Sequence, residues 1–280
     1  IYSTYIGGSG DEIGYDIQVD ENGNAYMSGY TSSTDYPTTI GAYDRIYNGG
    51  AYDIVITKLN PTGSALVYST FIGGANDDYA FGVDLDISGN MFVSGHTNST
   101  DFPTTGGAYD NVYNGGTNDV VAVKLNSSGT ALIYSTFLGG SEDDVANKIV
   151  VDALGEAYIT GSTESSNYPV TSGTYDESYN GNRDILLTKL TSDGSSLIYS
   201  TFIGGDEYDH PQIVDIDTEG NAYLTGLTGS RNFPTTDDVF DDTYNGGTFD
   251  IFVTKVFADG DSLVYSTYIG GGAYEKANNI

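Results

Sequence analysis

The stretch ALVYSTFIGG at residues 65–74 decides how the rest of the chain is read. Its core, [IV]YST[YF][IL]GG, begins at Ile1, Val67, Ile133, Ile198 and Val264, in steps of 66, 66, 65 and 66 residues. Self-similarity at a fixed long period marks a repeat architecture and takes precedence over any local reading. The phrase pairs β-branched and aromatic residues with a Gly-Gly stop, which reads as a strand that ends abruptly. Four full units follow, 1–66, 67–132, 133–197 and 198–263, with the start of a fifth at 264–280. The whole chain, 1–280, is one array.

Working outward through the second unit, Leu66 to Ile72 is read as its first strand and Ala80 to Asp86 as the next. Ser88-Gly89 turns the chain into Met91 to Gly95, and Asp119 to Leu125 is the last strand. A helical period persists nowhere, and short strands at regular spacing with turn signals between them mean an all-β repeat. Four antiparallel strands per unit predict tandem propeller blades, or a propeller-like array. Blades usually run about 40–45 residues. The excess is the 21-residue connection from Asn98 to Asn118, which recurs in every unit.

Composition narrows the function. Nine Lys and Arg stand against 39 Asp and Glu, a formal net charge of −30. A phosphate backbone needs cationic neutralisation, so nucleic acid is not an expected partner, and an anionic membrane face is disfavoured for the same reason. No apolar run is long enough for a membrane-spanning helix, and membrane insertion is not expected. The 25 Tyr and 11 Phe can supply a core despite the charge. The absence of Cys removes disulfides and thiolate chemistry.

Several residue sets recur. Lys58, Lys124, Lys189 and Lys255 share one position on the last strand, read as the outer edge of the blade, where Lys deters edge pairing and can neutralise nearby acids. Asp20, Asp86, Asp152 and Asp217 open D-x-x-G turns. Asp53, Asp119, Asp184 and Asp250 follow a Gly-rich turn, as caps or as calcium ligands. The acids after the Gly-Gly stop, Asp11-Glu12, Asp77-Asp78, Asp143-Asp144 and Asp209, are the candidate Ca²⁺ ligands, because paired carboxylates on a Gly-rich loop suit a hard cation. No complete EF-hand loop accompanies them.

The long connections carry the candidate ligand-binding aromatics Tyr43, Tyr47, Tyr109, Tyr113, Tyr175, Tyr179, Phe240 and Tyr244. They form either a local packing cluster or a face for glycan or protein. Asn98 and Asn126 sit in sequons. The two histidines, His96 and His210, are not equivalent in the repeat, and no G-x-S-x-G elbow occurs, so no catalytic residues are predicted.

ALVYSTFIGG at 65–74, the Val19–Asn24 turn, AYMSGYTSSTDYPTT at 25–39 and the run from Tyr47 to Leu59 resemble the bacterial β-propeller repeat known as SBBP. The third unit departs from the pattern at Glu156 and Asn182, and the fourth has Tyr208-Asp209 for the double acid. The resemblance implies a part of a large secreted or surface-attached bacterial protein. The expected function is accordingly a non-enzymatic extracellular or cell-surface scaffold, structural or adhesive, with protein as partner. That partner is the rest of a longer chain, or a second molecule in an assembly or filament. The alternative is an extracellular module that binds glycan or Ca²⁺. IYSTYIGG at 1–8 and VYSTYIGG at 264–271 duplicate rather than complement each other, so simple closure of one blade by the two termini is not expected.

Overall fold

The computed structural model describes residues 1–273, Glu275 and Ala277. It is all-β, with four antiparallel four-stranded sheets in tandem. The first sheet contains β1 (Glu12–Val19), β2 (Ala25–Thr31), β3 (Asp53–Leu59) and β4 (Leu66–Ile72). The second contains β5 (Asp78–Leu85), β6 (Met91–Thr97), β7 (Asp119–Leu125) and β8 (Leu132–Leu138). The third contains β9 (Asp144–Val151), β10 (Ala157–Thr163), β11 (Asp184–Leu190) and β12 (Leu197–Ile203). The fourth contains β13 (Asp209–Ile216), β14 (Ala222–Thr228), β15 (Asp250–Val256) and β16 (Leu263–Ile269). Strand order in each sheet follows chain order.

The strands were expected, but their phase differs. The phrase at 66–72 is the fourth strand of the first sheet, not the first strand of the second. The short turn after Leu59, where Gly63 donates to the Asn60 carbonyl, makes β3 and β4 a hairpin. The strand at 264 therefore completes the fourth sheet rather than beginning a fifth. Residues 1–8 carry the same phrase without strand pairing. The lysine strand is thus third, with neighbours on both sides, and is not the outer edge: Lys58 stands opposite Tyr26 on β2 and Tyr68 on β4.

The first strands lie toward the common axis. β5 packs on β1 and β9, and β9 on β13. An ion pair from Lys148 on β9 to Asp16 on β1 joins the first and third sheets directly. Three cores lie between successive sheets. Tyr26, Ile54, Ile56, Tyr68 and Ile72 of the first sheet meet Val83, Val93, Val121 and Phe137 of the second, and the pattern repeats at the next two junctions. Each sheet is buried on both faces where neighbours exist, which explains why β7 and β11 are buried along their whole length.

The axial strands are each bulged, at Tyr15, Phe81, Asn147 and Gln212. Beside each bulge the second strand carries a glycine: Gly29, Gly95, Gly161 and Gly226. A β-carbon on Gly95 would stand 1.8 Å from the Tyr79 carbonyl oxygen, and the other three positions are equally closed, at 2.0–2.2 Å. The bulge draws one backbone onto the other, and only hydrogen fits between them. Gly95→Ala is expected to destabilise the fold by roughly 2 kcal/mol or more, at the upper end of overpacking costs, read as a lowered denaturant midpoint. A cost below about 0.5 kcal/mol, typical of an unconstrained surface position, would contradict this account.

Candidate functional site

The chain passes from sheet to sheet through the Gly-Gly segments, and there the recurring acids gather. The crossing after β4 runs through Gly73-Gly74-Ala75-Asn76-Asp77 and would leave a row of backbone donors unpaired. Asp78 at the start of β5 and side chains just after β6 receive them. Gly74 N–H donates to Asp78 Oδ2 at 2.7 Å, Ala75 N–H to Asp101 at 2.8 Å, Asn76 N–H to Ser99 Oγ at 2.9 Å and Asp77 N–H to Asn98 Oδ1 at 2.7 Å. The same arrangement holds Gly8 on Glu12, Gly140 on Asp144 and Gly205 on Asp209, with Ser33, Ser165 and Ser230 in the place of Ser99. Satisfying every buried backbone donor is a near-universal requirement.

The second acid of each pair is therefore a latch. Asp78, Asp144 and Asp209 are completely buried and also accept from the serine hydroxyls Ser99, Ser165 and Ser230. The first acids, Asp11, Asp77 and Asp143, stay nearer solvent. Asp143 takes Arg183 at 3.0 Å and Asn118 Nδ2 at 2.8 Å, and Tyr79 Oη donates to Asp77 at 3.4 Å. The T-x-S-x-[DN] run that receives the crossing (Thr31-Ser33-Asp35, Thr97-Ser99-Asp101, Thr163-Ser165-Asn167, Thr228-Ser230-Asn232) has constant spacing from the closed glycine. That spacing is the signal by which sequence reading could have found it.

Asp53, Asp119 and Asp184 close the other side of each junction. Each is buried, and accepts the backbone N–H of Asn48, Asn114 or Asn180 on Oδ2, as a turn cap does. Among the described residues their Oδ1 atoms have no hydrogen-bond partner. The two acids of a junction share one glycine: a β-carbon on Gly204 would lie 2.6 Å from Asp184 Oδ1 and 3.0 Å from Asp209 Oδ2. Burial pushes Asp53, Asp78, Asp119 and Asp184 up to about 7 and Asp144 to about 6. Among the described residues no group of three or more His, Cys, Asp or Glu is arranged to hold a metal ion.

The lysines answer a different set of acids. Lys124 is buried, 3.4 Å from Asp86 and 4.6 Å from the centre of the Phe92 ring. Lys58, Lys189 and Lys255 make the same contacts with Asp20 and Tyr26, Asp152 and Tyr158, and Asp217 and Tyr223. Each of these acids also caps its turn: Asp86 Oδ1 accepts from Ser88 and Asn90, and Gly89 takes φ 73°. Two open grooves lie over these turns. One, of about 610 Å³, runs between Asp20 and Asp86; the other, of about 500 Å³, runs between Asp152 and Asp217.

The aromatic candidates do not form one face. Tyr47, Tyr113, Tyr179 and Tyr244 donate their hydroxyls to the carbonyls of Gly50, Gly116, Asn182 and Gly247 within their own connections, and set their ring edges on Phe71, Phe137, Phe202 and Tyr268. Tyr43, Tyr109 and Tyr175 reach the next sheet, their backbone N–H groups donating to Gly129, Gly194 and Gly260. Phe240, the fourth in that series, is 85% exposed. Each connection is thus a strap between sheets. Asn98 uses its side-chain oxygen on the crossing and Asn126 caps the β7–β8 turn through Thr130. His96 stacks on Phe81 at 5.0 Å, and His210 lies 3.2 Å from Asn147 Nδ2 and 3.3 Å from Ser162 Oγ.

The junction acids dictate a pH dependence. A carboxyl held above its unfolded value contributes stability that is present at acid pH and lost as pH rises through the folded pKa. For the four at about 7 and Asp144 at about 6, that loss falls between pH 4 and 7. The two histidines, which burial depresses to about 4, work in the opposite direction over pH 4–6.5, but five acids outnumber them. Tm is expected to rise as pH falls from 8 to 5, and the combined Asp53→Asn, Asp119→Asn, Asp184→Asn variant to flatten that rise. A Tm that drops over this range would overturn the assignment.

The SBBP β-propeller repeat family matches at residues 1–37, 67–103, 133–169 and 198–234, beginning each time on the YST phrase. No curated protein matches. Among solved structures, a protein of unknown function from Dyadobacter fermentans is similar at a TM-score of 0.52 and 10% identity, over 95% of this chain and 72% of that one. An acylaminoacyl peptidase of Pyrococcus horikoshii shows a TM-score of 0.39 and 9% identity, over 96% of this chain and 33% of that one. The first likeness speaks for the fold alone. With four matches that together span more than half of its length, each feeding a four-stranded sheet, the chain belongs to the SBBP β-propeller repeat family.

Proposed function

We propose that this repeat array is a non-enzymatic scaffold, structural or adhesive, exposed outside a bacterial cell. The observation that carries the reading is where the recurring polar residues are spent. The junction acids, the T-x-S-x-[DN] runs, the lysines and the straps all hold one sheet to itself or to the next. A repeat whose repeated chemistry is consumed in its own assembly is suited to spacing and bearing load. The net charge of −30 keeps such a surface dispersed in water. Immunolabelling of intact producing cells tests the location: label confined to the cytosol would overturn it, as would turnover of a substrate for the non-enzymatic part.

A second reading draws on the two grooves over the turns, both lined by acids, Lys, Tyr and Leu side chains and the first also by Asn. Such polar clefts suit a sugar, and the unpartnered Oδ1 atoms at the junctions suit a hard cation. Ca²⁺ that binds only the folded chain must raise Tm by mass action, by about 2.7 kcal/mol of stability at a hundredfold excess over Kd. Under the scaffold reading the melting curve is expected to coincide in chelator and in millimolar Ca²⁺, and a glycan array to show no saturable binding. A Ca²⁺-dependent rise in Tm, or array binding lost on Lys58→Ala, would favour the second reading instead.

A further inference from the structure

Lysine cannot shield the outer edge of these sheets, because Lys124 lies on the third strand and the outer strand is the YST phrase itself. In the second sheet that strand, LIYSTFL at 132–138, has no charge, no Pro and no Gly. Segments of this kind, β-prone and uncharged, pair with copies of themselves when an edge is bare. β8 has a ladder neighbour on one side only, β7, and Ser135 and Phe137 turn their N–H groups away from it. The other three sheets carry the same liability in LVYSTFI, LIYSTFI and LVYSTYI.

The long connection covers that edge. Closing β6 onto β7 needs no such length, because Thr97 and Asp119 stand opposite each other in the ladder and a hairpin closes with as few as about two residues. The 21 residues from Asn98 to Asn118 instead run out to β8 and back. Thr105 N–H donates to the Ser135 carbonyl at 3.1 Å, and Ser135 N–H donates to Thr105 Oγ1 at 3.0 Å. Phe137 N–H donates to the Asp110 carbonyl at 3.0 Å, and Asp110 N–H to Thr136 Oγ1 at 2.9 Å. The Phe137 ring meets Phe102 and Tyr113, with centroids 6.1 and 6.0 Å away. The same paired bonds recur where Thr39, Thr171 and Thr236 meet Ser69, Ser200 and Ser266. The connection forms no strand of its own, and Pro103 beside Phe102 has no N–H to offer, so the ladder stops there.

We propose that this connection is an edge guard: it occupies the strand-addition site on the outer edge of each sheet, which would otherwise pair with the same edge of a second copy. An edge strand captures another chain through its unpaired backbone groups, and here those groups are engaged by Thr105 and Asp110. The Thr of the YST phrase secures the guard, since the Thr136 hydroxyl accepts from Asp110 N–H and donates to the Asp110 carbonyl. Asp110 is held in turn by its own loop, its carboxylate accepting from Val112 N–H and Asn114 Nδ2, each at 2.9 Å. One opened sheet offers one bare edge, and two such edges set antiparallel pair isologously into a closed dimer. The inference goes beyond the scaffold reading and holds whatever the array carries.

The full chain carrying Thr105→Pro and Thr136→Val tests this. The pair removes both Thr105–Ser135 bonds and both bonds between the Thr136 hydroxyl and Asp110. Amide exchange at Ser135 and Phe137 is expected to quicken roughly tenfold or more, because only the local seam has to part. Sedimentation velocity is expected to give monomers at low salt, where −30 on each copy repels. Concentration-dependent dimers are expected at about 1 M salt, where the screening length is about 3 Å, while the parent chain stays monomeric in both. Quickened exchange with monomers at that salt would overturn the proposal, as would a parent chain that associates as strongly as the variant. Unchanged protection at Ser135 and Phe137 would also sink it, since something else would then cover the edge. If the double variant loses its cooperative melting transition, Thr136→Val alone, which keeps the side-chain shape, carries the same two measurements, with the same outcomes expected in smaller degree.

Discussion

The structure depends on how the backbone crosses from one sheet to the next. A crossing must run beneath the connections of two sheets, and its N–H groups cannot reach a ladder partner there. The Gly-Gly pair lets the chain approach the buried acids: at Gly73 a side chain would collide with Asp78 Oδ2 at 2.7 Å. The acid, the serine and the Asp or Asn of the T-x-S-x-[DN] run then receive the donors one after another. An unpaired buried donor costs about 1–3 kcal/mol, so a crossing without these partners would outweigh much of the net stability of a domain.

That solution creates the main tension in the fold. It buries two carboxyls at each junction, and desolvation raises both toward neutrality. Charge elsewhere is handled conventionally. Each buried lysine meets an acid that also caps a turn, and the aromatic ring beneath it supplies a further attraction. Junction and turn thus use the same residue type in opposite ways. Asp86 lies below the usual carboxylate range, since hydrogen bonds from Asn90 and Ser88 together with Lys124 outweigh the opposing effect of burial. Asp78 rises because its hydrogen bonds do not outweigh burial.

Packing between sheets is what turns a local device into an array. The connection after each second strand is long because it has two tasks. Its aromatics anchor it on its own sheet through Phe71, Phe137 and Phe202, and Tyr43, Tyr109 or Tyr175 ties it to the turn of the next. A repeat of this kind has nearest-neighbour cohesion.

The sequence by itself determined the repeat, its period, the all-β class, the four strands per unit and the family. All of these follow from local spacing: β-branched and aromatic runs, Gly-Gly stops and D-x-x-G turns recur whatever the three-dimensional arrangement. The turn role of Asp86 and the identity of the junction acids as a recurring set were legible for the same reason. Only the tertiary structure decided that the YST phrase ends a sheet instead of opening one, and hence that Lys58 and Lys124 are interior. A periodic sequence has no intrinsic starting point, and phase is fixed by which strands pair. Burial was equally out of reach: Asp78 and Asp77 are adjacent and chemically alike, yet one is sealed by Thr97 and Ser99 while the other faces Tyr79 near solvent. Alternation of side chains across a strand separates such neighbours, and which side is dry depends on the sheet that packs there.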